Sequence, residues 1–263
     1  MFSGGDGIAL ERAEVERVKY TIRACETLQE LAALVKIQQQ IWGYAEHEVY
    51  PLRLFVTLRK IGGQVLGAFA LRGGLVGFVA SLPAWHGADR YYHSLSLGVL
   101  RAHENRGLGR ALKMAQRREA LRAGIGLIEW TFDPLRAKNA FLNIVRLGAI
   151  ARCCQPDYYG EVESRFQRGL PSDRLIAEWH LISGRVRRAM AGKPPRPGKA
   201  QPVATLEIPA DIDGLRQSNP GEARRRQLAV RKQLQEFFAQ KLAITGFEYD
   251  VRSARYLLDP YDD

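Results

Sequence analysis

Between Gly62 and Leu82 the chain is apolar enough to resemble a membrane span, but Arg72-Gly73-Gly74 interrupts its centre. A spanning helix needs about 20 apolar residues with few or no charges. Val65, Leu66, Phe69 and Ala70 on one side of the break match Leu75, Val76, Phe78 and Val79 on the other. Two buried strands joined by a tight glycine turn, at about 64–71 and 75–82, account for the pattern.

Other elements follow from periodicity and caps. Tyr20 to Ala24 reads as a first strand. Thr27 caps a helix running to about Ile41, with Leu28, Leu31, Leu34 and Val35 at helical spacing. Pro51 opens a second helix to Lys60. His93 to Leu100 reads as a strand in which Leu95, Leu97 and Val99 alternate. A helix from Leu108 to about Ala123, a strand from Ile125 to Phe132 and a helix from Lys138 to Leu147 stopped by Gly148 come next. Arg174 to Ile182 is a further strand. Gly184 to Gln201, with three prolines and several basic residues, reads as a linker or exposed crossover. Beyond it lie a strand at 203–208, a helix from about Glu222 to Leu242 and a last strand at 246–258. Residues 1 to 17 read as a loose start, and no signal peptide is read in Met1 to Gly7.

The 263 residues carry 39 Lys and Arg against 28 Asp and Glu, a net charge of +11 that suits an anionic partner. Two stretches concentrate it. Arg101 to Arg122 holds seven basic residues against Glu104 and Glu119, and Arg185 to Lys199 holds six with no acid. The three cysteines, Cys25, Cys153 and Cys154, have no CxxC spacing and support neither a disulfide framework nor a zinc site. A cytoplasmic setting fits. The five histidines have no metal-ligand spacing.

Chemistry concentrates in Glu104-Asn105-Arg106-Gly107-Leu108-Gly109. A strand, a glycine turn and a basic helix in that order make a phosphate-binding arrangement. Gly107 and Gly109 let the backbone turn and approach a ligand, and the free N–H groups at the helix start point at an anion. Arg106 and Arg110 add charge-assisted bonds. A Walker-A loop is excluded, because no Lys-Ser or Lys-Thr follows. An NAD-binding Rossmann protein is the rival reading, with Glu129 as its ribose acid, but Leu112 stands at the third glycine position.

Ser94 to Gly148 resembles the core of the GNAT acyl-CoA N-acyltransferase superfamily. "ENRGLGRAL" is similar to its [QR]-x-x-G-x-[GA] signature, "GIGLIEWTFDP" to its fifth strand and "KNAFLNIVRLG" to its Asn-bearing helix. The resemblance covers about 20–182 and extends to a longer GNAT-like subgroup with a C-terminal extension. It implies an α/β (α+β) fold: a central mixed, mostly antiparallel sheet flanked by helices. It also implies acetyl-CoA or another acyl-CoA as cosubstrate and an amine as acceptor. Leu97, Val99, Glu104, Asn105, Arg106, Gly107, Leu108, Gly109, Arg110 and Asn139 would bind the cofactor. Glu104 departs from the signature, and Arg101 or Arg106 would supply the missing contact. Ile144 occupies the usual position of the acid tyrosine, leaving Tyr158 or Tyr159 for that role.

In the implied reaction an amine attacks the thioester. A base takes its proton, a backbone N–H of the fourth strand holds the oxyanion, and an acid protonates the CoA thiolate. Glu129 is the first candidate base, with His93 and Asp133 behind it. The acceptor, a small-molecule or protein amine, would be selected by 42–50, 83–92 and 155–174, with Arg168 or Arg174 favouring a carboxylate-bearing small molecule. A nucleic-acid or acidic-surface binding protein using 185–199 is the alternative of another class, although that segment lacks interleaved aromatics.

Three regions are expected: a core over 1–183, a crossover over 184–202 and a strand-helix-strand extension over 203–263. The stripe Val230-Leu234-Phe237-Phe238-Leu242 is too wide to stay uncovered, so the extension docks on the core or on that of a second subunit, as a homodimer would allow.

Overall fold

Thr27 starts the first helix with a reciprocal cap. Its hydroxyl accepts from the Glu30 N–H at 3.2 Å, and the Glu30 carboxylate accepts from the N–H groups of Glu26 and Thr27. That helix, α1 (Leu28–Trp42), ends on Gly43 in the left-handed region. The structure, a computed structural model, describes residues 20–71, 73–160, 170–196, 201–250 and 252–261. The expected loose start over 1 to 17, together with Arg72, Arg168 and Lys199, lies outside them. The chain divides into two units, Met1–Gly124 and Ile125–Asp263.

Unit 1 contains, besides α1, β1 (Tyr20–Ala24), α2 (Leu52–Lys60), β2 (Gln64–Ala70), β3 (Leu75–His86), β4 (Asp89–Val99) and α3 (Leu108–Arg122). The strands lie in the order β1-β2-β3-β4, each antiparallel to the next. Apolar residues on both faces of the sheet require two covers. Leu31, Leu34, Ile37 and Ile41 of α1 and Phe55 and Leu58 of α2 pack against Val65, Phe78 and Ala80. Leu108, Leu112 and Ala115 of α3 pack against Leu66, Ala68, Val76 and Val79 on the opposite face.

Two expectations for unit 1 change. Pairing continues from Pro83↔Tyr92 to His86↔Asp89, so the expected acceptor loop over 83–92 is a two-stranded ribbon, turned at Gly87 and closed by a His86–Tyr91 stack. The regular alternation of Leu95, Leu97 and Val99 also breaks. The register steps from Ala80↔Ser96 to Ser81↔Ser94, leaving Leu95 as a bulge. Leu95 joins the α1–α2 core, whereas Leu97 and Val99 join the α3 core.

Unit 2 contains β5 (Leu127–Phe132), α4 (Ala137–Ala140), β6 (Ile150–Gln155), β7 (Arg174–His180), α5 (Gly184–Met190), β8 (Ala204–Ile208), α6 (Ile212–Ser218), α7 (Pro220–Ala239), β9 (Leu242–Tyr249) and β10 (Ala254–Pro260). Its strands are ordered β5-β7-β6-β9-β10-β8, again antiparallel between neighbours. The helix expected over 138–147 is α-helical only through Ala140 and continues as a π-helix over Phe141–Arg146. β6 and α6 were not expected. The former linker opens with α5, capped by Ser183. The single last strand is two, because the Asp250 carboxylate accepts from the N–H groups of Arg252 and Ser253 and turns the chain. Leu242 consequently belongs to β9, not to the α7 stripe, where Val230 and Leu234 are buried and Phe237 and Phe238 half-buried.

Residues 203–250 and 252–261 pack within this unit. Ala151 of β6 pairs with Ile244 of β9, the Arg231 guanidinium holds both Asp173 oxygens at 2.6 and 2.9 Å, and Tyr256 Oη donates to Pro134 O at 2.7 Å.

Candidate functional site

α3 starts without a side-chain cap among the described residues. Its N-cap is Gly107, at φ 78°, and Asn105 two positions earlier is also left-handed, at φ 59°. The turn therefore falls on Asn105 and Gly107. Gly109, expected to share it, sits in the first helical turn, where its missing side chain leaves the approach open. The first helical bond runs from Ala111 N–H to Gly107 O, 3.0 Å, so the amides of Leu108, Gly109 and Arg110 precede the i→i−4 ladder. Those amides, the positive end of a 15-residue helix and the Arg106 and Arg110 side chains suit a phosphate or pyrophosphate.

Glu104, Asn105, Arg106 and Gly107 are exposed, whereas Leu108 is buried and anchors the helix. The loop is braced from β1: Tyr20 Oη and His103 Nδ1 lie 2.8 Å apart, and Arg106 Nη1 donates to Tyr20 Oη at 3.4 Å. Leu97 and Val99 place their side chains in the α3 core, so only their backbone is available to a ligand.

Beneath α3 lies a polar chain. Lys113 Nζ donates to Ser94 Oγ and Gln116 Oε1, Gln116 Nε2 also donates to Ser94 Oγ, and Gln64 Nε2 donates to Gln116 O. Burial pulls the Lys113 ammonium well below its ordinary range. Burial likewise pulls down the His93 imidazole, and Lys113 adds to that only while it stays charged, which its own burial opposes. His93 is thus neutral at pH 7, in the form that accepts a proton.

In unit 2, Glu129 lies on the half-buried face of β5, directly across from Glu178 of β7. Burial pushes the Glu178 carboxyl up, but His180 and the two-pronged Arg152 guanidinium outweigh it and hold the carboxyl below its ordinary value. Tyr158 and Tyr159 are exposed and meet edge to face. The Tyr159 and Thr131 hydroxyls are 2.8 Å apart, and the Arg174 guanidinium lies over the Tyr159 ring. Asn139 is exposed at the third position of α4, and Arg136 is the N-cap. Ile144 is fully buried. Asp133, the third candidate base, is a turn residue: it accepts from the Leu135 N–H and from Arg216, which is almost fully buried.

The structure thus gathers Leu97, Val99 and residues 104–110 about one helix start, and separately places Tyr159 beside Thr131. Sequence reasoning missed the Leu95 bulge and the Gln64-Gln116-Lys113-Ser94 chain. A lysine at an apolar helix position, one turn after Gly109, was the available signal for the second. Burial lifts the thiols of Cys25 and Cys154 to about 12, leaving both protonated at neutral pH.

Residues 31–142 match the Acetyltransferase (GNAT) family. No curated protein matches the chain. Among solved structures, the GNAT-family acetyltransferase of Streptococcus pneumoniae is 17% identical, with 61% of this chain and 98% of that chain covered at a TM-score of 0.50. A Desulfovibrio desulfuricans protein ascribed to the GNAT family is 15% identical, with 62% and 99% covered at 0.50. These likenesses show the fold. With the family match over 31–142, the chain carries a GNAT acetyltransferase domain, the domain of enzymes that take their acyl group from acyl-CoA.

Proposed function

We propose that the chain moves an acetyl group, or another small acyl group such as succinyl, from acyl-CoA to an amine of a small molecule or protein. The observation that carries this reading is the start of α3, where left-handed Gly107 leaves three successive backbone amides and two arginines for a pyrophosphate. His93, neutral at pH 7, and Glu129 are the proposed proton acceptors. An amine of pKa near 10 is neutral only on the order of one part in a thousand at pH 7, so one of them must take its proton. The β4 backbone beside the Leu95 bulge is proposed to offer an N–H to the oxyanion, and Tyr158 or Tyr159 to return a proton to the CoA thiolate.

The basic stretch over 185–199 supports a nucleic-acid reading poorly. Arg185 is turned inward onto carbonyls, Arg196 is paired with Asp259, and Arg188 donates to Pro194 O. The Rossmann reading needs a parallel doubly wound sheet, and the strand pairs within each unit are antiparallel.

Calorimetry with acetyl-CoA, succinyl-CoA and NAD tests the proposal. Binding of at least one CoA ester and none of NAD is expected, whereas binding of NAD alone would overturn it. An amine screen that follows release of the CoA thiol would then identify the acceptor.

A further inference from the structure

We infer that unit 1 holds a second small-molecule site, fitted to a zwitterionic α-amino acid with a compact apolar side chain, in the cleft where α2 and α3 end against the start of β2. The cleft has a volume of about 390 Å³, and its lining includes Arg59, Gln64, Val65, Leu66, Glu119 and Arg122. Tyr92 also lines it, held by a 2.8 Å hydrogen bond to Gly62 O. Gln64, Val65, Leu66 and Tyr92 are all buried and form the floor, while the exposed Arg59 and Arg122 stand at the rim. Gly63 sets the depth of the cleft. A Cβ there would lie 2.6 Å from Ser81 O and 2.9 Å from Leu58 O, so only glycine lets the end of α2 close down on the sheet.

The charges match both ends of an amino acid. Arg59 uses one N–H on Glu26 O, at 2.6 Å, out of the five its guanidinium carries. Arg122 and Glu119 pair at 2.7 Å, but with 66% and 42% side-chain exposure they form the kind of ion pair that is readily remade. A carboxylate would bridge Arg59 and Arg122. An ammonium would sit by Glu119, favoured by the negative end of the α3 dipole. Leu66, on the α3 face of the sheet, together with Ala24 and Ala123 provides an apolar wall for a short branched side chain.

The cleft is separate from the phosphate loop. From Gly109 to Glu119 α3 rises about 15 Å, at 1.5 Å per residue. An occupant would therefore be an effector and not the acyl acceptor. Gln64 of the floor reaches the Gln116 carbonyl, which ties the cleft to the polar chain under α3.

Amide NMR of the full chain tests this, with three probes at matched ionic strength: L-valine, isobutylamine, which lacks the carboxylate, and isovalerate, which lacks the ammonium. L-valine is expected to shift the amides of Gln64, Val65, Leu66 and Ala123 saturably, with a Kd on the order of 1 mM. Each single-charge probe should bind at least about tenfold more weakly. Arg59→Gln with Arg122→Gln should abolish the shifts, and Glu119→Gln, which keeps the side-chain shape, should erase the preference for L-valine over isovalerate. Gly107→Glu should leave the shifts in place. No saturable shift, equal binding of the three probes, or shifts that survive the double substitution in a folded protein would overturn the inference. Shifts lost with Gly107→Glu would also overturn it, by placing the amino acid at the loop proposed for acyl-CoA.

Discussion

The basic stretches 101–122 and 185–199 look alike as strings of letters and differ in what their charges meet. In the first, Arg101 and Arg106 are exposed around a glycine turn whose backbone amides open toward solvent. In the second, Arg185 is largely buried. Its Nε donates to Gly148 O, and its Nη2 reaches Thr245 O at 2.6 Å, Ala149 O and Ile144 O. Burial brings this guanidinium down to about 10, still charged at neutral pH. Arg196 clasps Asp259 with two hydrogen bonds. A run of positive charge thus becomes a ligand site where amides converge beside it, and a fastening where carbonyls and a carboxylate converge instead.

The largest effect should come from ending the chain after Gly192, which would treat the second stretch as a mere tether. It removes β8, β9, β10, α6 and α7, and the buried apolar side chains they cover are worth roughly 1.5–3 kcal/mol each. Aggregation or a large fall in melting temperature is expected, and an unchanged melt would show 203–263 to be a separate module. Gly107→Glu should abolish acyl-CoA binding by calorimetry while leaving the melt within a few degrees, since it strains one left-handed residue and places a carboxylate where phosphate would sit. Arg185→Met should act the opposite way, costing about 3 kcal/mol by stripping four carbonyls of their donor while sparing CoA binding in the folded protein. Loss of binding without loss of stability would erase the contrast.

Arg196→Gln should cost about 1–2 kcal/mol at pH 7. The pairing with Arg196 is the largest cause holding the Asp259 carboxyl below its ordinary 3.8. A depressed carboxyl stabilises the fold above its unfolded value, and that contribution is lost as pH falls through the lower folded value. Melts of wild type and variant should therefore converge below about pH 3.8. The smallest effect is Arg187→Ala, where one exposed bond to Ile182 O is lost: less than about 0.5 kcal/mol and no change in CoA binding.

Local signals were the legible ones. Thr27 marks its helix because the group it caps, the Glu30 N–H, lies only three residues on, and the phosphate loop is legible because strand, glycine and helix are contiguous. β6 was hidden because Ile150 and Ala151 are buried in succession, so its alternation is lost. The role of Arg185 was hidden because its partners lie up to 60 residues away. Much of the proposed chemistry shares that problem: Tyr159 finds Thr131 across 28 residues, a pairing no window of sequence contains.

The extra residue at Leu95 changes how β4 would answer a systematic scan of substitutions. Ahead of it Ser94 addresses α3, and beyond it Leu97 and Val99 do, so the beat of tolerant and intolerant positions slips by one step partway along the strand. Deleting Leu95 would restore an even rhythm and leave Ser94, Leu97 and Val99 all addressing α3, so its whole cost would fall on the α1–α2 core, which loses one side chain. At Leu95, unlike anywhere else along β4, a change of count leaves every other side chain facing the helix it already meets.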